Sequence, residues 1–150
     1  MLRRLLRFLA LGTLAAVAGV AFLLMTNPAP AVPAIVADVA DSRPYLIKLH
    51  ARWCSICMMT KDEWAKLEQT YGQRVRLVVL DFTTDAATET SRGVAAQLGL
   101  TQLFDEYVGE TGTVLVVDGR SKDVRHSLHG NLEWAEYAAA VDDVLAPAVR

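Results

Sequence analysis

The sequence predicts an α/β fold in which a central mixed β-sheet is flanked by helices and preceded by one N-terminal membrane helix. Three observations support this prediction. Short runs of β-forming residues alternate with longer amphipathic runs from residue 44 onward. The last two short runs flank Asp118-Gly119, a turn signal that indicates a hairpin. An apolar run of 18 residues precedes them all. Strand–helix alternation that ends in a hairpin is typical of a sheet with both parallel and antiparallel neighbours.

Residues 1–26 are predicted to form a signal anchor that crosses the membrane. Three arginines lie within residues 1–7, and the next 18 residues, 8–25, carry no charge. As a helix this run would be about 27 Å long, close to the roughly 30 Å hydrocarbon core of a bilayer. Because positively charged flanks stay inside, we expect a cytoplasmic N-terminus and membrane contact through residues 5–25. The protein would be single-pass in the cell inner membrane, with a periplasmic domain.

A cleavable signal peptide is the alternative for this segment. Ala29-Pro30-Ala31 follows the apolar run and resembles a cleavage site. The run is longer than the roughly 7–15 residues usual in signal peptides, which favours the anchor. In the alternative, the protein is secreted to the periplasm after cleavage near Ala31. In both interpretations, the remainder of the chain is exported from the cytoplasm.

Residues 27–34 are predicted to be a linker, and residues 35–150 the folded domain. Three prolines within residues 27–33 favour a stiff, extended spacer that does not pair as a central strand. Without the three N-terminal arginines, 12 basic residues face 17 acidic ones, which gives a net charge of −5. No basic patch is evident, so we expect no binding to nucleic acid.

The first strand is predicted at Pro44–His50, a short apolar run with β-forming residues. One amphipathic helix is predicted from Ser55 to Tyr71, ended by Gly72. Its apolar side is expected to hold Met58, Trp64, Leu67 and Tyr71. The second strand is predicted at Val75–Phe82.

The second helix is predicted to begin at a cap, Thr84 or Asp85, and to run to Leu98 before Gly99. Two hairpin strands are predicted at Thr113–Val117 and Val124–Leu128. A last helix is predicted to follow, with Asn131 as its cap. It should run from Leu132 to Leu145 and end at Pro147.

The segment Thr101–Glu110 lies between the second helix and the third strand. It holds Leu103, Phe104 and Tyr107 at the spacing of a short helix. We expect this helix to pack over the sheet edge. The alternative is a partner-recognition lip near the cysteines.

The two cysteines of the chain, Cys54 and Cys57, lie where the first strand turns into a helix. A thiol at the start of a helix faces unpaired backbone N–H groups, which favour the thiolate and lower the pKa. Cys57 follows by three residues and lies on the same side of the helix. We therefore expect Cys54 to attack a partner disulfide and Cys57 to resolve the mixed disulfide. Trp53 is expected to offer the partner an apolar contact, unless it packs internally.

A structural disulfide and a metal site are the competing interpretations of the pair. A bridge that closes a loop of about four residues would stabilise the fold by only ~2 kcal/mol, which is little for a bridge placed for stability. Tetrahedral zinc needs four ligands, and the pair supplies two. Cu(I) prefers soft sulfur ligands, so copper bound by Cys54, Cys57 and Met58 is the alternative to redox chemistry.

The motif W-C-x-x-C between a strand and a helix, followed by β-α-β-β-α, resembles the thioredoxin family over about Pro44 to Leu145. With its N-terminal anchor, the chain looks most like the membrane-tethered periplasmic thioredoxin-like proteins. The resemblance implies dithiol–disulfide exchange with protein thiols and disulfides, often as a reductase supplied with electrons through the membrane. It implies that Cys54 is the exposed attacking thiol and Cys57 the resolving thiol, with no cofactor beyond their redox-active disulfide.

One departure from the family concerns the loop that faces the cysteines. Family members usually place a cis-proline there, whereas this chain has no proline between Tyr45 and Ala146, and Gly112 stands in its place. A cis bond without proline costs roughly 2.5–4 kcal/mol, so a trans bond and a reshaped loop are expected. The resemblance assigns substrate contact to the backbone of Thr111, next to Gly112.

Lys48 is the second departure, because thioredoxins commonly have a buried acid at this position, six residues before Cys54. If Lys48 is buried and charged, it lowers the pKa of the cysteines. If it is neutral, it can serve as a base for Cys57. If the side chain reaches solvent, it has neither role. Our hypothesis is that Lys48 lowers the pKa of Cys54.

The sequence therefore predicts an enzyme, an extracytoplasmic thiol–disulfide oxidoreductase that acts on protein substrates, more specifically as a reductase. The alternative is a binding protein, either a Cu(I) chaperone of the thioredoxin fold or a non-catalytic partner-binding domain.

Overall fold

The structure is a computed structural model that describes residues 41–130 and 133–146. Outside it lie the predicted anchor, the predicted linker, the first six residues of the predicted domain, and Asn131, Leu132 and Pro147. Within the two described ranges, no helix combines the length and the apolar character needed to cross a bilayer.

The described strands form one four-stranded mixed sheet with the order β2-β1-β3-β4. β1 pairs in parallel with β2 and antiparallel with β3, and β3 pairs antiparallel with β4. The predicted mixed sheet and its hairpin are therefore confirmed. The described elements are, in chain order, β1 (Tyr45–His50), α1 (Ser55–Met59), α2 (Lys61–Tyr71), β2 (Arg76–Asp81), α3 (Asp85–Gln97), α4 (Thr101–Tyr107), β3 (Thr113–Val117), β4 (Val124–His129) and α5 (Trp134–Leu145).

The two central strands, β1 and β3, are buried almost throughout. Because side chains alternate along a strand, β1 contributes to a core on each face of the sheet. Ile47 and Leu49 pack in one core with residues of α3 and α4. Leu46 packs in the other with residues of α2 and α5. Helices thus cover both faces of the sheet, as predicted. The cysteine turn, residues 51–57, directly follows the central strand β1.

The helix predicted over residues 55–71 is interrupted at Thr60. Thr60 has φ −91° and ψ 15°, outside the helical range, and it ends α1 and begins α2. Its amide and its hydroxyl both donate hydrogen bonds to the Ile56 carbonyl, at 3.0 and 2.9 Å. A threonine hydroxyl that bonds back to the preceding turn in this way bends a helix.

The predicted position of Met58 on the buried side of the helix is wrong, because its side chain is 60% exposed. The side chains that α1 and α2 bury recur at spacings of three and four residues, as a helical stripe requires. They are Cys57, Thr60, Trp64, Leu67 and Tyr71. Met58 follows Cys57 directly and so points about 100° around the helix, into solvent.

The segment Thr101–Tyr107 forms the short helix α4, as predicted. Its Leu103 and Phe104 are buried in the core that contains Leu49, and the ring centroid of Phe104 lies 5.6 Å from that of Phe82. The apolar residues of α4 are therefore used for internal packing.

The loop before β3 places Gly112 directly against α1. Gly112 has φ +86°, and the bond before it is trans, since no peptide bond of the described residues is cis. Its amide donates to the Leu49 carbonyl at 2.9 Å. A Cβ atom at this position would lie 2.8 Å from Cγ2 of Ile56 and 3.5 Å from Sγ of Cys54. Both the backbone conformation and the close approach therefore require glycine here.

We expect Leu67→Ala to lower the free energy of unfolding by about 2–5 kcal/mol, because Leu67 lies in the buried stripe. The matched variant Met58→Ala should change it by no more than about 0.5 kcal/mol, because that side chain is exposed. Denaturant unfolding of both variants measures the difference. Equal losses would contradict the placement of the stripe.

Gly112→Ala is expected to destabilise the fold more than Gly109→Ala. Both glycines have a positive φ, +86° and +88°, so alanine strains the backbone at either position. At Gly109 an added Cβ meets no atom within 4 Å, whereas at Gly112 it meets Ile56. We expect a loss of about 1–2 kcal/mol at Gly109, and a further 1–3 kcal/mol or so at Gly112 from overpacking.

Unfolding free energies in a double-mutant cycle with Ile56→Ala separate the two effects. Ile56→Ala should restore part of the unfolding free energy that Gly112→Ala loses, and none of that lost by Gly109→Ala. If Ile56→Ala changes the unfolding free energies of Gly112→Ala and Gly109→Ala equally, glycine is required at position 112 only for its positive φ.

Candidate active site

The cysteine turn begins where β1 ends. Cys54 is the residue that caps the N-terminus of α1, and its amide donates to the Ala51 carbonyl at 3.2 Å. The Cys57 amide in turn donates to Sγ of Cys54, at 3.2 Å. A side-chain oxygen of serine, threonine, aspartate or asparagine usually accepts this capping bond. Here the cysteine sulfur takes that role, so the capping interaction itself fixes the position of the sulfur.

Both cysteines are free thiols, and they differ in accessibility. Cys54 is 8% exposed and Cys57 is 2% exposed. Cys54 is thus the more accessible of the two, but it is less exposed than the family resemblance implied, because Gly112 and Ile56 pack against it. The thiol of Cys57 points inward and donates to the Leu49 carbonyl at 3.6 Å.

Hydrogen bonds favour the thiolate of Cys54. Burial acts to raise the pKa of this thiol. The hydrogen bonds that its sulfur receives from Cys57, from the Thr111 side chain and from the Ile56 amide outweigh burial, so the pKa lies below its usual value. Cys54 is therefore the thiol that ionises first, as the sequence predicts for an attacking cysteine.

The environment of Cys57 has the opposite effect. Burial raises the pKa of Cys57, and its hydrogen bond with Cys54 and the negative charge of the Cys54 thiolate raise it further. The two thiols therefore differ in reactivity although they are three residues apart. Cys57 stays protonated while Cys54 is ionised.

Lys48 is buried, with 8% of its surface exposed. Its Nζ lies 5.5 Å from the centroid of the Trp64 ring. Burial lowers the pKa of Lys48, and the charges of Cys57, Glu68 and Cys54 oppose this effect in that order. The alternative that Lys48 reaches solvent is therefore wrong. The strand is not shifted, because its central position in the sheet fixes which face each residue occupies.

Trp53 precedes Cys54 in the chain, and Thr111 precedes the Gly112 that lies against Cys54. The indole of Trp53 is 65% exposed, so it does not pack internally. The Thr111 amide donates to the Gly109 carbonyl at 2.7 Å, and the Thr111 side chain helps to lower the pKa of Cys54. The structure thus brings Thr111 and Gly112 to Cys54, with Trp53 as an exposed neighbour.

The copper alternative names Cys54, Cys57 and Met58, whose side chains differ in exposure. Cys57 is 2% exposed and Met58 is 60% exposed, so these neighbours project from different sides of α1. Among the side chains that the structure describes, no group of three or more histidines, cysteines or acids is arranged to hold a metal ion.

The sequence analysis assigned no role in the exchange reaction to two residues near the site. Ile56 packs against Gly112, and a side chain inside a C-x-x-C motif gives no signal of that contact. His50 ends β1, and its Nδ1 atom is buried with no hydrogen-bond partner in the described part of the chain. Burial and the nearby charge of Lys48 lower the pKa of His50. Strand alternation, which puts His50 on the same face as Lys48, was an available signal.

The family model described as Thioredoxin matches residues 34–117. No curated protein sequence matches the chain significantly. Among solved structures, thioredoxin-2 of the malaria parasite has a TM-score of 0.50 and 17% identity, over 69% of this chain and 84% of that chain.

Two further structures are similar at slightly lower scores. Thioredoxin f2 of Chlamydomonas reinhardtii has a TM-score of 0.49 and 16% identity, over 75% of this chain and 87% of that one. MTB dsbF, solved in mixed oxidised and reduced forms, has a TM-score of 0.49 and 15% identity, over 69% and 81% of the two chains.

The likeness to thioredoxin-2 shows the fold. The family model spans more than half of the 150 residues and includes both cysteines. The chain belongs to the thioredoxin family.

Proposed function

We propose that this protein exchanges dithiol for disulfide with protein substrates through Cys54 and Cys57, and that it acts as a reductase outside the cytoplasm. The observation that supports this most directly is the hydrogen bond from the Cys57 amide to Sγ of Cys54. It favours the thiolate on the more accessible sulfur and holds the second thiol one turn behind it. Both are requirements of a two-step exchange.

The exchange proceeds in two displacements. The Cys54 thiolate attacks one sulfur of a substrate disulfide, and the other substrate sulfur leaves as a thiolate and takes up a proton. Cys57 then loses its proton and attacks Sγ of Cys54. The bond between Cys54 and the substrate breaks, and the second substrate sulfur leaves and is protonated. The protein loses two electrons and now holds a Cys54–Cys57 disulfide, and the substrate gains those electrons as two thiols.

The surface around Cys54 favours an extended, apolar partner segment. Trp53, which precedes Cys54, and Met58 and Met59 of α1 are 65%, 60% and 56% exposed and offer a partner apolar contacts. Gly112 and Ile56 cover the sulfur closely, so a substrate disulfide has to enter a narrow opening. Because the Thr111 amide already donates to Gly109, the Thr111 carbonyl is the backbone group we assign to the substrate strand.

The proposed location and direction rest on the N-terminal sequence. Arginines followed by the uncharged residues 8–25 support a tether that exports the domain. An exported dithiol needs a source of electrons to stay reduced, since extracytoplasmic compartments are oxidising. A tether at the membrane places it where a membrane electron donor can supply them.

The mixed disulfide provides the experiment that tests the proposal. Full-length Cys57→Ser, solubilised in detergent and mixed with insulin, is expected to accumulate a covalent complex through Cys54, because no thiol is left to resolve it. Non-reducing electrophoresis detects the complex, and a reductant should release it. The matched variant Cys54→Ser should form none. In catalysed insulin reduction, both variants should fall to the uncatalysed rate.

A covalent complex formed by Cys54→Ser and not by Cys57→Ser would show that Cys57 is the attacking thiol and Cys54 the resolving thiol. No complex with either variant, together with no insulin reduction by the unmodified protein, would overturn the proposed exchange.

The effect of the Thr111 side chain on the pKa of Cys54 leads to a second prediction. Thr111→Val removes a donor to the Cys54 thiolate and should raise the pKa of Cys54. Hydrogen bonds to charged groups contribute about 1.5–3 kcal/mol, so the thiolate fraction at neutral pH should fall roughly tenfold or more. The pH dependence of alkylation by iodoacetamide measures this, and the curve should move to higher pH.

Thr113→Val is the matched control, because the Thr113 hydroxyl is bonded to Nδ1 of His129 at 2.9 Å rather than to a cysteine. Its alkylation curve should coincide with that of the unmodified protein. If Thr111→Val gives the same curve as Thr113→Val, the Thr111 hydroxyl does not stabilise the thiolate.

A further inference from the structure

The sulfur of Cys54 is enclosed by a contact between Ile56 of α1 and Gly112 of the loop before β3. A Cβ atom at position 112 would lie 2.8 Å from Cγ2 of Ile56, 2.9 Å from its Cβ and 3.5 Å from Sγ of Cys54. Ile56 also packs against the small buried cluster of Ala51, Cys54 and Cys57. The Cys57 amide approaches the same sulfur at 3.2 Å, and only 8% of Cys54 is left exposed.

Both sides of this contact are held in place. The backbone of Gly112 is fixed, because its amide donates to the Leu49 carbonyl at 2.9 Å and its carbonyl accepts from the Gly130 amide at 3.3 Å. Ile56 is branched at Cβ, and such side chains keep one preferred χ1 rotamer in a helix. The Cβ atom of Ile56 also belongs to the contact, so rotation about χ1 does not remove it. The opening over Cys54 therefore does not widen to suit a larger partner.

The geometry of a mixed disulfide brings the substrate chain onto this contact. The two sulfurs of a disulfide are about 2.05 Å apart, and the two Cα atoms are about 5.5–6 Å apart. Ile56 and Gly112 lie within a similar distance of Sγ of Cys54. The residues that flank the attacked substrate cysteine must therefore pass directly over Ile56 and Gly112. Side chains on those flanking residues compete for the space that Ile56 occupies.

We propose that Ile56 is a specificity-determining residue, which together with Gly112 restricts Cys54 to substrate cysteines flanked by small residues such as glycine and alanine. This inference rests on the proposed exchange reaction and names the class of substrate segment that the site accepts. Branched flanking residues react slowly, because they have to displace either Ile56 or the fixed backbone of Gly112. A difference of one or two methyl groups in a close apolar contact changes a rate roughly 10–200-fold.

Two chromogenic peptides test this size limit. Each carries one cysteine joined to thionitrobenzoate by a disulfide, and the residues that flank the cysteine are glycine in one peptide and valine in the other. The Cys54 thiolate attacks the peptide sulfur, and a bond between these two sulfurs forms. The bond to thionitrobenzoate breaks, and thionitrobenzoate leaves with its electron pair, since it is the better leaving group. Full-length Cys57→Ser in detergent is the background for every variant, because its reaction stops at this mixed disulfide.

The absorbance of released thionitrobenzoate gives the rate for each peptide. The ratio of the two rates is divided by the ratio for glutathione, which measures the intrinsic reactivity of the peptides. We expect a corrected preference for the glycine peptide of about 10–100-fold. Ile56→Ala should speed up the valine peptide and bring the preference to within about threefold. Because each ratio compares two rates of one variant, changes in the pKa of Cys54 or in the folded fraction cancel.

Ile56→Val and Met59→Ala are the controls. Valine keeps Cβ and a methyl group in the place of Cγ2, the two atoms that face Gly112, so Ile56→Val should retain the preference. Met59 lies on the same helix but is 56% exposed, so its loss should leave the ratio unchanged. Ile56→Leu keeps the side-chain volume but removes the branch at Cβ. It should lower the preference as Ile56→Ala does, which keeps the test in place if one variant folds poorly.

Three results would overturn the role of Ile56. They are equal corrected rates for the two peptides with Cys57→Ser alone, a preference that persists in both Ile56→Ala and Ile56→Leu, and a preference that Met59→Ala abolishes. A different result would overturn the exchange reaction itself, and the size limit with it. In that case Cys57→Ser would release thionitrobenzoate from either peptide no faster than a variant that lacks both cysteines.

Discussion

The hydrogen bond between the Cys57 amide and Sγ of Cys54 joins the fold to its proposed chemistry. It is a helix-capping bond, so it forms wherever α1 forms, and α1 begins directly after the central strand β1. The position of the reactive sulfur is thus set by a central, buried strand of the sheet. Little local freedom remains for Cys54, because Gly112 and Ile56 close the other side.

The site is asymmetric in charge although its two thiols are neighbours. The pKa of Cys54 is lowered by hydrogen bonds from the Cys57 thiol and amide, from the Thr111 side chain and from the Ile56 amide, in that order. Lys48 of β1 is buried against the Trp64 ring, and burial lowers its pKa. The Cys54 thiol is therefore disposed to ionise, whereas burial keeps the Cys57 thiol in its protonated form.

Sequence patterns predicted the parts of the fold that local chemistry determines. Apolar alternation predicted the strands, and Asp118-Gly119 predicted the hairpin, where Asp118 indeed accepts from the amides of Arg120 and Ser121. The failures occurred where polar residues are buried. The prediction considered only apolar residues and therefore placed Met58 on the buried side of α1, where Cys57 and Thr60 lie.

Tertiary packing determines the features that the sequence left open. The burial of Lys48 requires both neighbouring strands, and the left-handed conformation of Gly112 requires α1 to lie against it. The predicted anchor lies outside the described residues and stays a prediction.

The reduction potential of the Cys54–Cys57 pair in the full-length protein, measured by equilibration with glutathione buffers, tests the central claim most directly. We expect a reversible two-electron couple with a potential nearer to about −270 mV, as in thioredoxin, than to about −120 mV, as in a strong oxidant. A potential near the oxidant value would contradict the reductase direction, and the absence of a reversible couple would contradict thiol–disulfide exchange at this site.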